Sequence, residues 1–147
     1  MLEMLDKKLA DEVAGKLMHT FSRSLIEGNY ESFRMNYQLP SLVEVSGDAR
    51  IVSHESEFER LFTSIRRYCD RNEINDVVSM VGSVEYLSES VVGVTGVICF
   101  MHPDGVRSKS PFPVYLMANQ SSPDWAISCL ILTTIKEPEL ASAFSLR

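Results

Sequence analysis

The sequence predicts a single α+β domain, residues 1–147, in which helices come first and a sheet of long antiparallel strands follows. Two observations carry this. Up to about Asn75 apolar residues recur with the 3.6-residue period of amphipathic helices; beyond it they fall in extended runs rich in β-branched and aromatic residues. Between the first helix and the third, the passage from Phe21 to His54 reads as a helix end, a short second helix, a stop at Pro40 and a β-hairpin.

The first helix is marked by Leu5, Leu9, Val13, Leu17, Phe21 and Leu25, joined on one stripe by Ala10, Ala14 and Met18. Lys8, Glu12, Lys16, His19 and Arg23 fall on the opposite side. Gly28 suits the residue that closes the helix, because it tolerates positive φ, and Asn29 suits the cap of the next. Tyr30 to Tyr37 then forms two helical turns presenting Tyr30, Phe33 and Tyr37, and Pro40 prevents continuation. Leu42–Val45 and Ala49–Ser53 follow as paired strands around Ser46-Gly47-Asp48, with Val43 and Val45 on one face and Glu44 on the other.

The third helix has the cleanest pattern: Phe58, Leu61, Phe62, Ile65, Tyr68 and Cys69, with Ser53 or Ser56 as cap and Ser56–Glu59 as a capping box. Four strands are expected at Val77–Leu87, Val92–His102, Pro113–Asn119 and Trp125–Ile135. The polar connections are Ser88-Glu89-Ser90, Pro103 through Ser110, and Gln120 through Asp124; such turns between long strands indicate an antiparallel meander. The strands at Val92–His102 and Trp125–Ile135 are apolar on both faces. The helices cover one face, and a second copy of the chain is the expected cover for the other, giving a homodimer through the sheet.

Composition excludes several function classes. Hydrophobic content of 45% and charged content of 23% are those of a globular protein, and a net charge of −6 argues against a nucleic-acid partner. The basic cluster Arg66, Arg67 and Arg71 is interleaved with acids and reads as a solvated helix face. No apolar run reaches a membrane span, and the charged N-terminus lacks a signal-peptide core, so no membrane partner is expected. Cys69, Cys99 and Cys129 are odd in number and set in apolar surroundings, which fits buried thiols in a reducing cytoplasm. The histidines have no metal-ligand spacing, so neither metal nor cofactor is expected.

The element order resembles the nuclear transport factor 2-like superfamily, which includes ketosteroid isomerase, scytalone dehydratase and the SnoaL-like polyketide cyclases. The passages LIEGNYESFRMNYQLPSLVEV and SHESEFERLFTSI carry the resemblance best, and it covers roughly residues 5–135. It implies a cone: a curved antiparallel sheet wrapped around a long N-terminal helix, three helices in all, and a conical pocket. In the isomerase branch a hairpin-strand carboxylate moves a proton, while a first-helix tyrosine and a second acid stabilise an oxyanion. Those positions fall here on Val45 and Phe21, neither of which can do that chemistry.

The remaining acid–base candidates are Glu44, His54 and Tyr37, with His54 or Glu44 as base and Tyr37 as donor. His54 also fits an exposed loop; His19 reads as solvated and His102 as part of a turn. The expected ligand-lining residues are Phe21, Phe33, Tyr37, Val45, Phe58, Phe62, Tyr115 and Trp125, which combine apolar bulk with a few polar tips. Core packing accounts for the same residues equally well. The sequence therefore points to a protein that binds a small hydrophobic or aromatic molecule in an apolar pocket. The alternatives are a SnoaL-like or isomerase-type enzyme, and an interaction module acting through the sheet or the tail Lys136–Arg147.

Overall fold

The computed structural model describes residues 2–103, 111–121 and 124–145; the expected turns through 104–110 and 122–123, and the last two residues of the tail, lie outside these. Helix α1 spans Leu2–Glu27, α2 Tyr30–Met35 and α3 Glu55–Arg71. The strands are β1 (Tyr37–Val45), β2 (Asp48–Val52), β3 (Asp76–Ser88), β4 (Val91–Met101), β5 (Phe112–Ser121) and β6 (Asp124–Leu132). A further helix, α4, covers Pro138–Phe144, so the described residues hold four helices where three were expected.

The α1 stripe from Ala10 to Leu25 is buried as expected, except that Leu9 is half-exposed. Gly28 ends the helix at φ +68°, and the Asn29 side chain accepts the Ser32 N–H at 3.2 Å to cap α2. Helix α2 stops two residues short of expectation. Its link to β1 is held by Asn36, whose side chain donates to Leu17 O at 3.0 Å and whose carbonyl accepts from Ile127 N–H at 2.8 Å. Tyr37 consequently begins β1 rather than ending a helix, and the strand runs through Pro40. Proline cannot donate to a sheet ladder, and the β1–β6 register breaks between Tyr37 and Leu42, where Pro40 sits. The β1–β2 turn places Ser46 and Gly47 at φ +49° and +87°, the paired positive values of a two-residue hairpin turn.

Helix α3 buries the six predicted residues. Its capping box is shifted: Glu57, not Glu59, accepts from the backbone N–H groups of Ser53 and His54, each at 3.1 Å. The reason is that the helix starts at Glu55, which puts Glu57 at its third residue.

The six strands form one sheet in the order β2-β1-β6-β5-β4-β3. The expectation of an antiparallel sheet holds within the β1–β2 hairpin and along β3 to β6, and fails at the seam, where β1 and β6 run parallel. Between β1 and β6 the chain passes through β2, α3, β3, β4 and β5, so no hairpin dictates the direction of that pair. The inner face carries Val43, Val45, Val94, Ile98, Phe100, Phe112, Leu116, Leu130 and Leu132 against the helices. One residue of β6 departs from simple alternation. Met117 pairs with Cys129 and Ala118 with Ile127, leaving Ser128 as an extra residue. Ile127 therefore joins Leu130 and Leu132 in the core, whereas Cys129 and Ile131 share the outer face with Tyr115 and Met117.

Helix α1 lies against β3 and β4. Ser22 Oγ donates to Ser79 Oγ at 3.0 Å, and Ser79 Oγ donates to Met18 O at 3.2 Å. A Cβ on Gly96 would come within 2.9 Å of Met18 Cε and 2.6 Å of Met80 O, so only glycine permits this approach. Helix α4 folds back against α3. Proline opens it, Tyr68 Oη donates to Glu137 at 2.8 Å, and Arg71 pairs with Glu139 at 3.1 Å. Its Leu140, Ala143 and Phe144 are buried, so this part of the tail is core rather than a free interaction segment.

Candidate functional site

The predicted pocket residues separate into four places. Phe21, Phe33, Tyr37, Phe58 and Phe62 come together, but as interlocked rings. Phe33 lies 6.3 Å from Phe21, 5.2 Å from Tyr37 and 5.1 Å from Phe62, and Tyr37 lies 5.1 Å from Phe58. Phe144 reaches this cluster from α4, stacking on Phe21 at 6.5 Å and touching Phe100 and Phe112. Val45 lines a cavity at the hairpin end of the sheet, and Trp125 a groove at the other end. Tyr115 is on the outer face, its ring lying over Gly93: a Cβ there would sit 2.7 Å from the Tyr115 hydroxyl.

The acid–base candidates are equally dispersed. Glu44 lies half-buried on the outer face, opposite in alternation to Val43 and Val45. There its charge adds to burial in raising the Cys129 thiol pKa. His54 is exposed at the start of α3, where its backbone N–H serves the cap. Tyr37 is fully buried; its hydroxyl has no hydrogen-bond partner among the described residues, and desolvation pushes its pKa well above the usual tyrosine value. No hydrogen bond or ion pair among the described residues joins any two of the three. Among the described residues no three His, Cys, Asp or Glu side chains cluster to hold a metal, and no helix is long and apolar enough to cross a membrane. The three cysteines are buried thiols, and burial pushes Cys69 up to about 11.

The cavity beside Val45 has a volume of about 400 Å³ and lies between the β1–β2 hairpin and α4. Val43, Val45, Ala141 and Phe144 give it apolar walls; Ser46, Ser142, Ser145, Asp48 and Arg50 give it a polar side. Arg50 was missed by the sequence reading, yet its position follows from the hairpin. It pairs with Val43, so an inward Val43 brings Arg50 inward with it. Phe144 was also missed, although Leu140, Ala143 and Phe144 after Pro138 have helical spacing. The Trp125 groove, about 520 Å³, runs between α1, the end of α2 and the adjoining ends of β5 and β6, with Leu9, Val13, Leu17 and the 78%-exposed Met35 as apolar lining. Because Ile127 pairs with Tyr37 and Leu132 with Val45, the cavity and the groove lie at opposite ends of the β1–β6 seam.

No protein-family model matches the sequence, and no curated protein matches it. Solved structures do resemble the fold. A domain of unknown function with a cystatin-like fold from Nostoc punctiforme superposes with a TM-score of 0.68 at 13% identity, covering 89% of this chain and 80% of that one. An NTF-2 like protein of unknown function from Shewanella oneidensis gives 0.64 at 10% identity, covering 82% and 96%. A putative ketosteroid isomerase from Shewanella frigidimarina gives 0.61 at 12% identity, covering 83% and 95%. At such identities the likeness concerns architecture: the fold is that of the nuclear transport factor 2-like superfamily.

Proposed function

We propose that this nuclear transport factor 2-like domain binds a small hydrophobic or aromatic molecule in the cavity between the β1–β2 hairpin and α4. The observation that carries the reading is the lining itself: Val43, Val45 and Phe144 form apolar walls around about 400 Å³, with a few polar groups on one side. A binding protein is preferred to an isomerase-type enzyme because Glu44 is on the outer face, His54 is exposed, and the Tyr37 hydroxyl has no partner among the described residues. The three buried thiols favour a reducing compartment such as the cytoplasm.

A homodimer packed through the outer face of the sheet belongs to the same reading. Met80, Ile51, Leu87, Val78 and Val97 are exposed on that face, beside the half-buried Leu42, Tyr115, Met117 and Ile131. A contiguous apolar surface of this kind is what a second copy would cover.

Thermal unfolding in the presence of small aromatic compounds tests the ligand reading. A ligand at a hundred times its Kd adds about 2.7 kcal/mol, which raises Tm by roughly 5–11 °C for a domain of this size. A panel of neutral and charged aromatics that leaves Tm unchanged at millimolar concentration overturns the reading.

A further inference from the structure

We propose that the cavity beside Val45 selects ligands that carry a carboxylate, with Arg50 as the recognition group; this rests on the ligand-binding reading above and names its ligand class. Arg50 is the cationic residue among the cavity's described lining, and the register opposite Val43 turns it toward the interior. Its guanidinium makes no hydrogen bond to any described residue. Among the described residues its buried Nε has no hydrogen-bond partner, and the nearest carboxylate oxygen, of Asp48, is 3.7 Å away. That separation is beyond hydrogen-bonding range, and with both side chains about 40% exposed the ion pair is weak.

A guanidinium offers five donors in a planar fork, and a carboxylate accepts two of them side by side. A ligand carboxylate would therefore meet a guanidinium that has no hydrogen bond to any described residue, while the ligand's apolar body lies on Val43, Val45 and Phe144. Asp48 is also in the lining and opposes an anion, and the whole chain carries −6. Among the described lining Arg50 is the one group that would favour an acid over its neutral analogue, and Arg50→Gln makes the preference diagnostic. The class is a small monocarboxylic acid with an aromatic or aliphatic body.

The test compares trans-cinnamate with cinnamamide, a neutral molecule of nearly the same shape, by NMR titration of the full chain. The backbone signals of Ser46, Asp48 and Ser142 report on the cavity. The acid is expected to bind on the order of tenfold more tightly than the amide, the value of a charge-assisted hydrogen bond over a neutral one. Arg50→Gln should abolish the preference, so that cinnamate and cinnamamide bind the variant with similar affinity. Arg50→Lys should recover part of the preference, since a lysine keeps charge but loses the fork. Equal binding of acid and amide to the native chain, or a preference that survives Arg50→Gln, overturns the carboxylate inference and leaves the ligand reading standing. No shift at the cavity with either compound removes both. The acid–amide comparison needs no variant, so a folding defect in Arg50→Gln cannot obscure the answer.

Discussion

Replacing Phe144 by alanine removes the side chain through which α4 enters the core. Phe144 is 1% exposed, and its ring lies 6.5 Å from Phe21, 6.4 Å from Phe100 and 6.1 Å from Phe112. Fully buried Phe→Ala substitutions cost about 3–5 kcal/mol through lost burial and an incompletely collapsed cavity. Helix α4 has seven residues and is too short to persist without docking, so the site can relax by releasing the helix. That escape places the expected loss near the lower bound, about 3 kcal/mol, or roughly 6–12 °C in Tm. Urea unfolding followed by far-UV circular dichroism measures the loss. Binding of an apolar fluorescent dye should rise at the same time, because Phe21, Phe100 and Phe112 become accessible. A loss under about 1 kcal/mol with unchanged dye binding would show that α4 is not part of the core, and the cavity wall it supplies would go with it.

Three further outcomes are expected. Tyr37→Phe should leave stability unchanged or raise it by about 1 kcal/mol, since it removes a buried hydroxyl with no partner among the described residues; a loss above 1 kcal/mol in urea unfolding would reveal a polar partner for that group. Met80→Glu with Val97→Glu should convert a dimer to a monomer in sedimentation velocity, because Met80 is 65% exposed on the outer face and Val97 pairs with it; a native chain that sediments as a monomer contradicts the dimer. Stability should fall as pH rises from about 9 towards 11, because the Cys69 thiol is raised in the folded chain and the unfolded chain loses that proton first. The slope is at most about 1.4 kcal/mol per pH unit, and Cys69→Ala should flatten it; an unchanged slope contradicts the assignment.

How far the fold could be read in advance depended on whether the relevant signal was local. The six buried positions of α3, the Gly28 stop and the Ser46-Gly47 turn are short-range patterns, and each appears where expected. The inward Val43 and Val45 and outward Glu44 follow from strand alternation once the hairpin is placed. The parallel β1–β6 seam has no local signature, because its strands are far apart in the chain. The extra residue at Ser128 is similarly silent, since a bulge is set by pairing with β5, and it brings Ile127 to the face of Leu130 and Leu132 against simple alternation.

Tyr37 shows how backbone chemistry redirects a side chain. Its spacing from Tyr30 and Phe33 is helical, but Asn36 ties the chain to Leu17 and Ile127, and Tyr37 opens β1 instead. The candidate site suffered most from such effects. Hydrophobic patterning identifies aromatic residues that cluster, but it does not distinguish a lining from a packed core, and Phe21, Phe33, Tyr37, Phe58 and Phe62 pack on one another. Arg50 and Phe144 carried readable signals, one in the hairpin register and the other in the spacing after Pro138.

The most direct test is a crystal structure grown with the aromatic compound that raises Tm most. The account predicts ligand density between Val45 and Phe144, within reach of Arg50. Density beneath Trp125 instead, with the Val45 cavity unfilled, would contradict it.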